Sequence, residues 1–378
     1  MVSSQREIIS YRKIIAFKYV KPRQKCISIL NFVLTFRLLV SSFLLGNGFE
    51  KKACYYDFIM KILVINKLLK AHHKEHILKT ASEIGGSVLF VESEAEIPDE
   101  YQDCEIIYGF GMGIAARNKN LKWISVPSAG VDYLMKPGVF ANEDCLITNS
   151  TGAYGVTIAE HIIAVSLLMM RKLDYSYSES LKAIWSSPKP QRSLKDSRIL
   201  VLGTGDIGCC FARRAKAFEP YSITGVCRSG MCKDRSFDRV FKTDSLDELL
   251  PETDLLVMSL PDTPETRNIL SRERIALLPN DAYVVNVGRG SAIDEDALAD
   301  SLDSGRLAGA ALDVFKTEPL PDDSRLWNTK NLIITPHVAG NLTLEHTLDV
   351  NVRMFCENLL NYGKGLPLKN LIDKNKGY

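Results

Sequence analysis

The sequence predicts an α/β protein whose parallel sheets are covered by helices on both faces, and three observations predict it. From residue 60 onward, short apolar runs alternate with helical patterns. Strands buried on both faces read as continuous apolar runs of this kind. Gly203, Gly205 and Gly208 stand in G-x-G-x-x-G spacing between one such run and a helix. Finally, 378 residues that are 46% hydrophobic and 24% charged suffice for two packed domains, at roughly 150 residues each. That composition excludes overall disorder, a collagen-like repeat and a multi-span membrane protein.

The first series of strand candidates is KILVIN (61–66), SVLFV (87–91), EIIYGF (105–110), KWISV (122–126) and CLITN (145–149). A stretch free of Gly and Pro follows, from Thr157 to about Arg171, apolar nearly all round. A helix with no wet face is a buried one, placed here at a domain interface with Met169 and Met170 as core filling. The polar stretch SSPKPQRS then precedes a second series: RILVL (198–202), SITGVC (222–227), DLLVMSL (254–260), AYVVNV (282–287), GAALDV (309–314) and NLIIT (331–335). Helical patterns lie between them, as in SLDELL (245–250) and DEDALADSLDSG (294–305). No repeat of fixed short period is evident.

The net charge of +2 joins two unlike compositions. Residues 1–59 hold ten Lys and Arg against three acids, which leaves 37 basic and 42 acidic residues from 60 on. Residues 27–45 are the one membrane-signal candidate, but Arg37 sits inside them, and a central Arg costs about 2.5–3.5 kcal/mol on insertion. A secretory signal fits poorly, since no small-residue cleavage site closes the run. The favoured expectation is that the protein starts at Met60, with 1–59 an upstream or dispensable extension. The nine cysteines show no zinc-ligand spacing, and His72, His73 and His76 read as the solvated face of a polar helix, so no metal site is expected. Cysteines scattered in this way point to a reducing cytoplasm.

The glycine pattern alone is weak; its setting is what carries it, with a strand before, a helix after and the next strand in register. Gly203 allows the tight turn, Gly205 the approach of a pyrophosphate and Gly208 close helix packing. The amides of Asp206 and Ile207 then face phosphates at a helix N-terminus. Cys227 stands 24 residues after Gly203, where an NAD-specific fold places an acid for the ribose 2′-hydroxyl. Arg228 and Ser229 follow it, a cation and a hydroxyl suited to a 2′-phosphate. This favours NADP(H), with NAD(H) possible if Arg228 is merely an exposed charge. Three residues stand at the ends of late strands, where ligands bind in open α/β sheets: Arg289, Glu318 and His337. Together they offer a carboxylate clamp, a charge partner and a general acid.

With SAGVDYL (128–134), GTGDIG (203–208), SLPDTPETRNIL (259–270), NVGRGSAIDEDAL (286–298), ALDVFKTEPLP (311–321) and TPHVAGNL (335–342) in this order, residues 60 to about 370 resemble the D-isomer-specific 2-hydroxyacid dehydrogenases. The resemblance implies two Rossmann-like doubly wound domains separated by a cleft, with a discontinuous substrate domain. It assigns 60–156 and 341–378 to the substrate domain and 157–340 to the NAD(P)-binding domain, with two hinge crossings. It implies that Arg289 grips the substrate, that His337 is the acid/base, and that Glu318 is the charge partner of His337. Backbone around Ala129 and Gly130 would hold the substrate carboxylate. Asp313 matches a cofactor-binding aspartate; Leu260, Pro261, Thr266, Val287 and Gly340 fall in segments lining the cofactor cleft. Residues 172–193 correspond to a dimer-contact arm, implying a homodimer.

The implied reaction is reduction of a small 2-keto acid, such as glyoxylate or hydroxypyruvate, to a D-2-hydroxy acid. Alternatives are a phosphoglycerate dehydrogenase lacking a regulatory domain, a formate dehydrogenase, which has a glutamine in place of Glu318, and a corepressor-like dinucleotide sensor. The net charge of −5 over residues 60–378 offers no basic footprint for nucleic acid.

Overall fold

The computed structural model describes residues 60–374. The expectations for residues 1–59, including the apolar run 27–45 and a start at Met60, lie outside the described residues. So do the last four residues of the proposed C-terminal segment.

Five strands form the first sheet: β1 (Met60–Ile65), β2 (Gly86–Val91), β3 (Ile106–Gly109), β4 (Trp123–Ser125) and β5 (Leu146–Thr148). They pair in parallel in the order β2-β1-β3-β4-β5. Seven more form the second: β6 (Arg198–Leu202), β7 (Ser222–Val226), β8 (Arg239–Phe241), β9 (Leu255–Met258), β10 (Tyr283–Asn286), β11 (Gly309–Leu312) and β12 (Leu332–Ile334). Their order is β12-β11-β10-β9-β6-β7-β8, again all parallel. Each strand must therefore return through a crossover, and the direction of winding reverses beside β6. Such a reversal opens a crevice at the carboxyl ends of the strands.

Six helices of nine residues or more are described: α1 (Ala71–Glu83), α2 (Gly155–Met170), α3 (Leu173–Leu181), α4 (Asp206–Ala215), α5 (Glu295–Asp303) and α6 (Glu345–Gly363). Ile158, Ile162, Val165 and Met169 of α2 join Val201, Phe211, Val257 and Val285 in one core of the second sheet. Leu298 and Leu302 of α5 close its other face against Leu200, Leu256 and Val284. Leu348, Val352, Phe355 and Leu359 of α6 pack instead on Ile62, Tyr108 and Trp123 of the first sheet. Phe355 stacks on Tyr108 with ring centroids 4.3 Å apart. The chain thus returns to its first sheet after completing its second. None of these helices is long and apolar enough to cross a membrane.

Several local expectations need correction. The helix expected from Thr157 starts at Gly155. Residues 173–181 are helical inside a stretch read only as a polar arm. Strand β8 was not foreseen, because three residues bearing an exposed Arg239 carry too little apolar signal. His73 is no part of a solvated face: it is buried, with Nδ1 accepting the Lys70 amide at 3.1 Å and Nε2 bonded to Asp349 of α6 at 2.7 Å. An accepting Nδ1 puts the ring proton on Nε2, which makes His73 the donor to Asp349. His72 lies 3.5 Å from the same oxygen, and Lys70 reaches Glu345 at 2.6 Å. The three groups His72, His73 and Asp349 are close enough to surround an ion. An ion on His73 Nε2 would, however, displace that proton and reverse the tautomer that Lys70 selects.

This polar latch joins the first helix to the last, and hydrogen bonding to His73 is the largest of the effects that hold the Asp349 carboxyl low. A carboxylate held low in the folded state contributes stability above its unfolded pKa and loses it as pH falls. Asp349→Asn should lower the free energy of unfolding by about 1 kcal/mol at neutral pH. In urea titrations the difference from the parent should shrink below about pH 4; a gap that persists unchanged in acid would contradict the latch.

Candidate active site

The dinucleotide loop begins where β6 ends. Gly203 has φ 102°, a conformation that L side chains rarely adopt, and a Cβ on Gly208 would overlap the Gly203 carbonyl. Gly205 precedes α4 with open space where its Cβ would be. Asp206 and Ile207 open that helix, so their amides lack a helical acceptor and carry the positive end of the dipole. A cavity of about 460 Å³ lies here, lined by Gly205, Asp206, Ile207, Leu260, Pro261 and Val287 among others. Side-chain-free backbone at a helix N-terminus fits a pyrophosphate.

Cys227, Arg228 and Ser229 follow β7 on an open turn, and Arg228 is exposed. Ser229 donates to the Met231 carbonyl at 3.1 Å. Burial pushes the Cys227 thiol up, but hydrogen bonds from Ser229, Thr204 and the Met231 and Gly230 backbone outweigh it and bring the net direction down. The Arg228 charge reaches Glu265, whose carboxyl is held low chiefly by the Thr263 hydroxyl and secondarily by its own backbone amide and Arg228. The Thr266 hydroxyl donates to the Pro261 carbonyl at 2.6 Å and accepts from Thr263 N at 2.9 Å, which braces the turn.

A larger cavity of about 820 Å³ adjoins the first and brings Arg289, Glu318 and His337 together with Ala129, Gly130, Asp313 and Gly340. Arg289 follows β10. The buried Asn286 fixes that turn, donating to the Arg289 carbonyl and accepting from Gly288 N, both at 3.0 Å. The guanidinium donates through Nε and Nη2 to Asp132 Oδ1, at 3.1 and 2.9 Å, and through Nη1 to the Gly288 carbonyl at 2.8 Å. It lies so close over Gly130 that a Cβ there would overlap Nη2. Asp132 and Gly130 follow β4 of the first sheet, so the two sheets meet at this pair.

His337 lies opposite. Its Nδ1 is 2.7 Å from Glu318 Oε2, while Glu318 Oε1 accepts the Phe315 amide at 2.9 Å. His337 has φ 53°, a left-handed conformation unusual for a residue with a side chain. Asp313 holds it there. Buried to 2% exposure, its carboxylate accepts from Val338 N at 2.9 Å, Ala339 N at 3.0 Å and the Thr335 hydroxyl at 2.6 Å. The Asp313 carbonyl in turn accepts His337 N at 2.9 Å. His161 of α2 comes within 3.4 Å of the same Thr335 hydroxyl; burial holds its pKa below the ordinary value against the pull of Asp313.

The expected residues divide by location. Arg289, Glu318, His337, Ala129, Gly130, Ile207, Val287, Asp313 and Gly340 line the larger cavity; Arg289, Ala129, Gly130, Ile207 and Val287 also line the smaller, with Gly205, Asp206, Leu260 and Pro261; Gly203, Gly208, Arg228, Ser229 and Thr266 line neither. Sequence reasoning passed over Asp132, Tyr133, Lys136 and Phe110 of the larger cavity, and Asn286, His161 and Thr335 behind it. Asp132 and Tyr133 stand within a motif that was singled out, and Asn286 ends an apolar strand; both signals were readable. Burial keeps the Tyr133 hydroxyl protonated, and it shares a hydrogen bond with Ser128.

Comparison with known proteins agrees with this geometry. The family described as D-isomer specific 2-hydroxyacid dehydrogenase, NAD binding domain, matches residues 163–339. Glyoxylate/hydroxypyruvate reductase A of Salmonella typhimurium is 29% identical over 266 residues, 69% of this chain and 83% of that protein. The crystal structure of an NADPH-dependent glyoxylate/hydroxypyruvate reductase from Sinorhizobium meliloti, with NADP and sulfate, superposes with a TM-score of 0.69 at 26% identity, covering 84% of this chain and 99% of that one. A D-isomer specific 2-hydroxyacid dehydrogenase family protein from Aeromonas salmonicida superposes with a TM-score of 0.75 at 32% identity, covering 84% of this chain and all of that one. With two Rossmann-like parallel sheets meeting at a cleft and a relative of this identity covered in full, the chain belongs to the D-isomer specific 2-hydroxyacid dehydrogenases, NAD(P)-dependent oxidoreductases that act on CH–OH groups.

Proposed function

We propose that the protein reduces a small 2-keto acid, of the glyoxylate or hydroxypyruvate kind, to a D-2-hydroxy acid. The observation that carries this reading is the His337–Glu318 pair facing the Arg289 guanidinium across one cavity. A nicotinamide dinucleotide, when bound, supplies the hydride. Arg289 grips the substrate carboxylate and its carbonyl oxygen, for which a planar fork of donors is well shaped. Backbone at Ala129 and Gly130 holds the other side of the carboxylate. Glu318 occupies Nδ1 of His337, which leaves Nε2 to deliver a proton to the carbonyl oxygen as an alkoxide develops there. Asp313 keeps the loop that bears His337 in place beside the cofactor cleft.

The reading extends to cofactor, domains and assembly. Arg228 and Ser229, on the turn where an acid would favour NAD(H), support a preference for NADP(H), in keeping with the NADPH-dependent relative from Sinorhizobium meliloti. Residues 60–156 and 341–378 act as the substrate domain and 157–340 as the cofactor domain, hinged where the chain crosses between them. The arm 172–193 pairs two copies in the cytoplasm: Tyr177, Leu181, Ile184 and Trp185 all stand exposed on it, with Trp185 wholly uncovered. Apolar groups clustered in this way favour an interface.

Three measurements bear on these assignments. His337→Ala should lower kcat/KM for keto acids by roughly 10²–10⁴-fold while NADPH still quenches protein fluorescence; near-parental turnover would remove His337 as the acid. Arg228→Ala should raise the Kd for NADPH roughly 10-fold to 100-fold and leave NADH almost unaffected, since one charge-assisted contact is lost; an equal loss for both would refute the 2′-phosphate role. Trp185→Glu should convert a dimer to a monomer in sedimentation velocity, and an unchanged sedimentation coefficient would place the interface elsewhere.

A further inference from the structure

Two thiols meet beside the dinucleotide loop. Cys209 lies in the first turn of α4, and Cys232 lies in the irregular segment between β7 and β8. Their sulfurs are 3.6 Å apart. Both also lie within reach of a single acceptor, the Thr204 carbonyl oxygen, at 3.2 and 3.7 Å. Thr204 stands between Gly203 and Gly205, so the thiols hydrogen-bond to the backbone of the glycine loop itself. Each is half-buried, whereas Cys104, Cys145, Cys210 and Cys356 are buried.

A disulfide needs its sulfurs about 2.05 Å apart, so closure requires an approach of about 1.5 Å. Cys232 sits in a segment without regular structure, and that segment can supply the movement. We propose that Cys209 and Cys232 form a redox-modification site, oxidised by a peroxide to a reversible disulfide that disturbs the glycine loop and weakens NADPH binding.

The chemistry balances. The Cys232 sulfur attacks the peroxide oxygen, giving a sulfenic acid and, from hydrogen peroxide, one water. The Cys209 sulfur then attacks the sulfenic sulfur, and the departing hydroxide takes the Cys209 proton as a second water. Two thiols have lost two electrons and the peroxide has gained them; a dithiol reductant reverses the change by becoming a disulfide itself. The order of attack follows from the surroundings. Burial, then the proton it shares with Cys232, pushes the Cys209 thiol up to about 12, so Cys209 keeps its proton while its partner reacts. Oxidation ties the loop after β7 to α4. The segments that would receive the pyrophosphate and the ribose phosphate are thereby displaced together. The effect on affinity rests on the dinucleotide reading above; formation of the bond does not.

The test uses the full-length reduced protein, treated with hydrogen peroxide, alkylated, digested and mapped by mass spectrometry. A linked pair of peptides joining Cys209 to Cys232 is expected, together with a rise in the NADPH Kd of roughly fivefold or more that dithiothreitol reverses. Cys232→Ser should bind NADPH like the parent and lose the response to peroxide. Cys232→Ala provides the same test where the serine variant folds poorly. Two free, alkylatable thiols after peroxide would overturn the proposal, as would a mapped bond with an unchanged NADPH Kd. Reduced protein that binds neither NADPH nor NADH would overturn the dinucleotide reading and the affinity effect, while peptide mapping still decides the bond.

Discussion

The Asp313 carboxylate organises the side of the cleft that carries His337. It is buried, and it accepts two consecutive backbone amides and a hydroxyl on the segment that carries His337. A residue with a side chain held at φ 53° stores strain that only its surroundings can retain. Here those surroundings are the buried Asp313 side chain, the three hydrogen bonds it accepts, and the His337 amide on the Asp313 carbonyl. Charge-assisted bonds exceed neutral ones in strength and gain more in a dry site. The position of the imidazole therefore depends on a group that need not touch the substrate at all. Glu318 completes the arrangement by fixing the ring's rotation through Nδ1.

The fold was largely legible because parallel strands covered on both faces leave a strong apolar signal. RILVL (198–202) coincides with β6, and GAALDV and NLIIT overrun β11 and β12 by only a few residues. The glycine loop could be read because its chemistry is local: turn, strand and helix lie within one short segment. Arg289, Glu318 and His337 could be named from strand-end positions and motif order, and the structure brings all three to one cavity.

The features that escaped reading are the long-range ones. His73 looked solvated because its neighbours are polar, and its partner Asp349 is 276 residues away. Asp132 stands in a legible motif, but that motif does not encode its pairing with Arg289, 157 residues further on. Strand β8 has too few residues for periodicity to register. In each case the deciding term is a pairing across the chain, which composition and spacing do not encode.

The contact between Arg289 and Asp132 has a consequence for how the protein meets its ligands. In the resting cleft the arginine already holds a carboxylate, supplied by the opposite sheet. On the function proposed above, a keto acid that takes the guanidinium must displace the Asp132 carboxylate, and it adds one negative charge to the cleft. Entry by a neutral carbonyl compound would leave the original pair intact. Under that reading an acidic ligand meets an arginine already paired with a carboxylate, and its affinity is set by competition with Asp132 rather than by a bare cation.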